Sequence, residues 1–347
     1  MTRSSVRSDP LSFGPALCFI LRLNDKLKMR TLSRKEDRMN KQSHRIFLAL
    51  TMAALVFPGA IQAQSTLQWA DMVGDEYQVV ANLTYSTANN AELKLDLYLP
   101  RNTKEPVPVV LYIHGGGWIA GTKEGATLRA LPFLALHWAV VNVEYRMART
   151  SLAPAAVEDC RCALQWIMAH AKQYNFNTEK IVVTGASAGG HLALMTGMLP
   201  PSSPFDHQCA TADSVRWTRG TEPKLKVAAI VNWFGITDVA DLLDGPNAKH
   251  YAIEWFGSMN NREELAKEVS PLSYVRTGLP PIITIHGDAD ALVPYSHATR
   301  LHQALDKAGV TNQLITIRGG NHGGFEKKET ERSYEAVRGF LKKAIGE

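Results

Sequence analysis

Val182-Val183-Thr184-Gly185-Ala186-Ser187-Ala188-Gly189-Gly190-His191-Leu192-Ala193 is the stretch on which the reading of this chain turns. A short apolar run ends in Gly-Ala-Ser-Ala-Gly-Gly and passes into residues that suit a helix. A serine on so sharp a strand-to-helix turn carries its hydroxyl clear of the backbone, and small neighbours relieve the crowding. The next amide, on Ala188, then points to where an oxygen would become negative during attack on a carbonyl, so Ala188 is a candidate oxyanion-hole donor. The five-residue pattern G-x-S-x-G is a common chance match by itself, so its companions carry the weight.

Two companions stand where that chemistry needs them. Upstream, Val107–Ile113 reads as a buried strand followed by His114-Gly115-Gly116-Gly117-Trp118. Successive glycines let backbone amides approach a bound group while remaining unpaired, as an oxyanion hole requires. Downstream, the apolar run Pro281–Gly287 leads into Asp288-Ala289-Asp290-Ala291-Leu292-Val293-Pro294. After a helical stretch and the strand Gln313–Ile317 comes Gly319-Gly320-Asn321-His322-Gly323-Gly324. Serine, acid and histidine occur in the order Ser187, Asp290, His322, each just beyond the C-terminal end of an expected strand. That order is the one of α/β-hydrolases and differs from two other serine-hydrolase orders.

With these residues in view, the chain resembles α/β-hydrolase esterases of the hormone-sensitive-lipase-like kind, nearest the branch of bacterial acetylxylan and feruloyl esterases. The resemblance runs through HGGGW at 114–118, NVEYR at 142–146, PAAVEDCRCALQWI at 154–167, GASAGGHLAL at 185–194, WFGITD at 233–238, SPLSYV at 270–275, HGDADALVP at 286–294 and GGNHGG at 319–324, and covers residues 77–345. It departs from the family at Tyr145-Arg146-Met147-Ala148-Arg149-Thr150, where Tyr-Arg-Leu-Ala-Pro-Glu is usual, and at Ala186, where many relatives carry Glu. The resemblance implies a serine esterase with Ser187 as nucleophile, His322 as general base, Asp290 as its partner, and the amides of Gly116 and Gly117 joining that of Ala188 in the oxyanion hole. It implies no metal or organic cofactor. The implied substrates are short acyl esters, acetyl or aryl esters of carbohydrates first. A general short-chain carboxylesterase or lipase, or an arylformamidase-like amidohydrolase, is the second reading, and a dead hydrolase fold kept for binding the third.

Several residues compete for roles. Asp288 sits two before Asp290, where bracing of the loop is expected, and Asp238 is an alternative acid. His114 and His286, at strand ends, suit structural hydrogen bonding; His191, on the first helical turn, suits a place behind the nucleophile. Trp118 is a candidate for substrate contact, as is Trp255. Trp233 and Trp255 are otherwise cap or core residues that sequence does not separate.

The formal charge of +5 belongs to the N-terminal part. Residues 1–63 hold 11 Lys+Arg against 4 Asp+Glu, which leaves the remainder at −2, so no nucleic-acid surface is implied. Within 39–63 a basic start, the apolar run Ile46–Phe57 and Pro58-Gly59-Ala60-Ile61-Gln62-Ala63 compose a secretory signal peptide, with cleavage expected after Ala63. The apolar run is too short to span a bilayer, and no stable membrane insertion is expected after cleavage. Residues 1–38 resemble no domain and read as an upstream, non-native extension, leaving 64–347 as one catalytic domain that is secreted or periplasmic. Nothing in the sequence specifies an oligomeric state.

Cys160 and Cys162 stand two apart on an expected helix and face different directions, so either could pair with Cys209 in the polar, Pro-rich insertion at 200–226, or all three could remain thiols. Their spacing does not suit a metal. The strand signals at 77–84 and 92–99 alternate in the manner of an antiparallel edge pair, while those at 107–113, 138–145, 181–185, 226–233, 281–286 and 313–317 are continuous apolar runs, the mark of a sheet covered on both faces. Helical patterns fill 155–174, 297–308 and 331–345. The expected fold is α/β: an open, mostly parallel, doubly wound sheet with helices on both faces and a small cap after Asp238, its ligands gathering at the C-terminal edge.

Overall fold

A computed structural model of the chain describes residues 71, 73–201, 203–206, 209 and 225–346. The expected upstream extension, the signal peptide and most of the 200–226 insertion lie outside the described residues.

Alternation within the apolar runs builds the sheet. In β3 (Val107–Ile113), Val109, Leu111 and Ile113 enter one core while Val110 and Tyr112 enter the other. In β5 (Phe176–Ala186), Ile181 and Val183 oppose Val182 in the same way. A strand with both faces buried has no polar side to show, which is why these runs are continuous. With β1 (Tyr77–Ala88), β2 (Ala91–Pro100), β4 (Ala139–Val143), β6 (Ala229–Trp233), β7 (Ile282–Gly287) and β8 (Asn312–Ile317) they form one eight-stranded sheet in the order β1-β2-β4-β3-β5-β6-β7-β8. From β4 to β8 all neighbours are parallel; β1 and β2 join antiparallel at one end. Asn89 and Asn90, both at positive φ, make the two-residue turn between β1 and β2, a position that asparagine tolerates.

The main helices are α1 (Ala155–Ala169), α2 (Ala188–Met198), α3 (His250–Phe256), α4 (Arg262–Glu268), α5 (Ser296–Lys307) and α6 (Lys327–Ile345). None among the described residues is long and apolar enough to cross a membrane. The helix expected through 155–174 is broken at His170, whose ring Nδ1 lies 2.8 Å from the Trp166 carbonyl, before a further turn at Ala171–Tyr174. The strand expected from 226 begins only at Ala229, where pairing with Val182 starts.

Buried charge ties the strand ends to the helices. Arg146, just past β4, donates through Nε and Nη2 to Asp159 of α1 at 2.7–3.0 Å. Arg161 of α1 holds Asp206 in the same two-pronged manner. Cys162 is bonded to Cys209, with Cα atoms 5.0 Å apart, while Cys160 is a free, buried thiol. The bond ties Cys209 to α1.

Candidate active site

Ser187 sits between β5 and α2 at φ 58°, ψ −122°, a conformation that L residues avoid. The turn is held by Ser187 N–H donating to Trp233 O at 2.9 Å and by His191 N–H donating to Ser187 O at 3.0 Å. It also needs the glycines around it. A Cβ on Gly185 would lie 2.4 Å from Gly189 O, and one on Gly189 would lie 2.1 Å from Ile113 O, in backbone that cannot yield.

The other two residues reach Ser187 from separate strands. His322 Nδ1 is 2.7 Å from Asp290 Oδ2, and His322 Nε2 is 2.8 Å from Ser187 Oγ. With the Nδ1 proton donated to the carboxylate, Nε2 presents the lone pair that accepts the serine proton. Asp290 is buried, and its Oδ1 accepts the N–H groups of Leu292 and Val293 at 2.8 and 2.9 Å. Burial pushes its carboxyl up, but hydrogen bonds from His286, His322 and the Val293 amide outweigh burial and hold it well below the usual carboxylate range. Asp288 braces the loop as expected, accepting Gly319 N–H at 2.6 Å. Asp238 pairs with Arg300 instead of a histidine of the site.

The glycine loop stands opposite. Gly116 and Gly117 adopt φ +121° and +60°, and a Cβ on Gly116 would come within 1.9 Å of Ala120 O. Gly117 has the Tyr251 side chain against it, 2.9 Å from where its Cβ would be. Neither Gly116 N–H nor Gly117 N–H donates to a backbone carbonyl among the described residues, and Ala188, as the first residue of α2, has no earlier turn to donate to. Below the loop, His114 Nε2 lies 3.4 Å from Glu144 without a hydrogen bond, while Glu144 accepts Lys123 N–H at 2.9 Å and the buried Lys123 ammonium donates to Asp96 at 2.9 Å.

A pocket of about 540 Å³ opens over Ser187 and His322, bounded by the glycine loop, Tyr112, Arg129, Phe234, Tyr251 and Leu292. Tyr251 O–H donates to Leu292 O at 2.9 Å, joining α3 to the Asp290 loop. Trp118 and Trp255, the candidates for substrate contact, do not line it. Both are fully buried and stack on each other with ring centroids 4.2 Å apart and planes 13° apart. They form the support behind the glycine loop, because α3 turns Trp255 and Tyr251 inward against Trp118. Trp233, at the end of β6, packs against Tyr334. Tyr112, Arg129, Phe234, Tyr251 and Leu292 were not evident as pocket residues from sequence. Tyr251 follows His250 in a helix whose facing direction only packing sets, and Tyr112 looks like any core residue of a strand.

Two buried histidines make the region acid-sensitive. Trp118 Nε1 donates to His191 Nδ1 at 3.2 Å while His191 Nε2 donates to Val269 O at 2.6 Å. Burial pulls the His191 imidazole down to about 4, and burial together with the Arg300 charge does the same to His297. Unfolded histidine takes its proton near pH 6.5, so between 6.5 and 4 the unfolded state binds more protons and stability falls with pH. Glu158 and Asp159, raised chiefly by burial, act in the opposite sense. The His191 contribution is therefore read as a difference. The stability advantage of wild type over His191→Gln in denaturant unfolding should shrink by roughly 3 kcal/mol from pH 7 to pH 4; an advantage independent of pH would refute the neutral, buried imidazole.

Comparison with known proteins agrees with this architecture. The BD-FAE family model matches residues 95–305. The chain is 29% identical over 198 residues to the probable carboxylic ester hydrolase LipM of Mycobacterium tuberculosis, covering 55% of this chain and 43% of LipM. It is 26% identical over 246 residues to esterase LipQ of the same organism, covering 67% and 55%. The chain thus spans about half the length of the curated relatives it matches. Among solved structures, a truncated carbohydrate esterase from gut microbiota superposes with TM-score 0.63 and 27% identity, covering 79% of this chain and 98% of that one. Propionate-bound esterase 2 of Thermogutta terrifontis gives TM-score 0.61 and 26% identity over 77% and 93%. The motifs, the sheet order and these matches lead to one conclusion: the chain has the fold of α/β-hydrolase esterases and belongs to the BD-FAE family.

Proposed function

We propose that the chain is a serine esterase that cleaves short-chain carboxylic esters, acetyl or aryl esters of carbohydrates among them, through an acyl-enzyme. The observation that carries the reading is the hydrogen-bonded path from Ser187 Oγ through His322 to Asp290 at the floor of the pocket. Ser187 Oγ attacks the ester carbonyl as His322 Nε2 takes its proton, and Asp290 stabilises the imidazolium that forms. The amides of Gly116, Gly117 and Ala188 receive the oxyanion; losing one such donor costs about 3–4 kcal/mol in comparable enzymes. His322 returns the proton to the departing alcohol, then activates the water that frees the acid. The likeness to a carbohydrate esterase supports the sugar-ester part of the reading.

Export is part of the same proposal. It rests on the signal-like segment at 39–63, and the Cys162–Cys209 bond suits an oxidising compartment. One experiment addresses both parts. The product collected outside the cytoplasm is weighed intact and assayed on nitrophenyl acetate, butyrate and octanoate, on acetylated xylan, and on an N-formyl arylamine. The expected result is a chain beginning at Gln64 that cleaves acetate fastest and releases acetate from xylan. Preference for octanoate would remove the carbohydrate reading, preference for the formamide would favour an amidohydrolase, and a mass that retains residues before Gln64 would overturn the cleavage site.

A further inference from the structure

The pocket over Ser187 contains cationic and hydrogen-bonding groups but no acid. Its lining includes Arg129, His250, His114 and His322, and neither an aspartate nor a glutamate. Arg129 is exposed in the single 3-10 turn Thr127–Ala130, and among the described residues it has no carboxylate partner. The arginines near other functional elements differ: Arg146, Arg161 and Arg300 are each committed to aspartates.

Tyr112 supplies a second, independent feature. It is 4% exposed, lines the same pocket, and its hydroxyl has no hydrogen-bond partner among the described residues. The hydroxyl is not among the buried side-chain atoms left without a partner, so it is open to the pocket and free to donate to a bound group. Arg129 and Tyr112 line the same pocket, and the Arg129 charge partly offsets the burial that pushes the Tyr112 hydroxyl up.

We propose that this pocket selects esters that carry a carboxylate, with Arg129 as the specificity-determining cation and Tyr112 as its hydrogen-bonding companion. The planar guanidinium donates two parallel N–H groups to a carboxylate, and the Tyr112 O–H adds a third donor. No carboxylate is in the lining to face such a substrate, whereas a cationic ester meets the Arg129 charge. The carboxylate belongs either to the acyl arm, as in the monoester of a dicarboxylic acid, or to the alcohol arm, as in an acetylated uronic acid. Both sources present the same anion to the same donors.

The inference rests on the esterase reading, and its test separates the two. Wild type, Arg129→Gln and Arg129→Glu are compared on two matched pairs: nitrophenyl acetate against nitrophenyl monosuccinate, and a mono-acetylated neutral hexose against the corresponding mono-acetylated hexuronate. Melting temperatures establish that each variant is folded. The expected result is that wild type prefers the anionic member of one pair, which identifies the arm. Arg129→Gln should lower the anionic-to-neutral ratio of kcat/KM by about tenfold or more, mainly through KM, and Arg129→Glu should lower it further. Added salt should erode the wild-type preference. Equal turnover of both members in both pairs, or a ratio unchanged by Arg129→Gln, overturns the proposal while leaving the esterase standing. If no ester is cleaved at all, the esterase reading falls, and calorimetric binding of succinate decides the anion site: binding weakened by Arg129→Gln upholds it, and no binding to wild type refutes it.

Discussion

Ser187→Ala should lower kcat on nitrophenyl acetate by about 10⁴–10⁶-fold and leave the melting temperature close to that of wild type. The size of the loss follows from the geometry. Oγ is the atom 2.8 Å from His322 Nε2, and without it the relay to Asp290 has nothing to activate. What remains is the pocket and the three amides, which in comparable hydrolases retain a residual rate of about 10³–10⁴ over water. Stability should be spared because the backbone there is held by main-chain bonds, from Ser187 N–H to Trp233 O and from His191 N–H to Ser187 O, which alanine keeps. Alanine also bears the φ of 58° no worse than serine does. Steady-state kinetics on the purified variant, with a scan of thermal unfolding, measures both. Activity within a hundredfold of wild type would remove Ser187 from the role of nucleophile.

Trp118→Ala should be the most damaging single change outside Ser187, Asp290 and His322, with a loss of about 3–5 kcal/mol in stability. For a chain of this size that corresponds to a fall of very roughly 10 °C in melting temperature. Trp118 is fully buried and stacked on Trp255, and its Nε1 donates to His191 Nδ1. Truncation opens a cavity under the glycine loop, forfeits the stacking and strands a buried imidazole nitrogen. Because Trp118 follows Gly117 directly, the loss should show in kcat more than in KM. A residue that contacted substrate would show the reverse, a raised KM with little change in stability. Trp118→Phe should retain most of both properties, and the double variant with Trp255→Ala should be less than additive because the two rings share one contact. A Trp118→Ala enzyme of wild-type stability with a weakened KM would restore the substrate-contact role that the packing denies.

Sequence alone specified the fold. Continuous apolar runs ending at Ile113, Gly185 and His286 announce strands covered on both faces, and short-range chemistry set the turns after them. Gly185 and Gly189 leave room at the serine turn where a Cβ would strike backbone, so the elbow is legible as a local pattern. Ser187, Asp290 and His322 stood out as candidates because each lies within five residues of a strand's C-terminal end, and parallel strands deliver those ends to one edge; the choice of Asp290 over Asp288 came from the resemblance.

What decided the rest is tertiary. Whether Trp118 faces substrate or core depends on α3, over a hundred residues away, laying Trp255 against it. Which of Cys160 and Cys162 meets Cys209 depends on the face of α1 that the insertion approaches, and the answer is Cys162. Arg129 and Tyr112 share a pocket only because the 3-10 turn packs against β4, the neighbour of β3 in the sheet; nothing within either segment encodes the other. Periodicity reports which face of an element is apolar, and motifs report chemistry within a few residues. The neighbour that a side chain meets across the fold is fixed by how whole elements pack, and that information is spread through the chain instead of lying beside the residue it concerns.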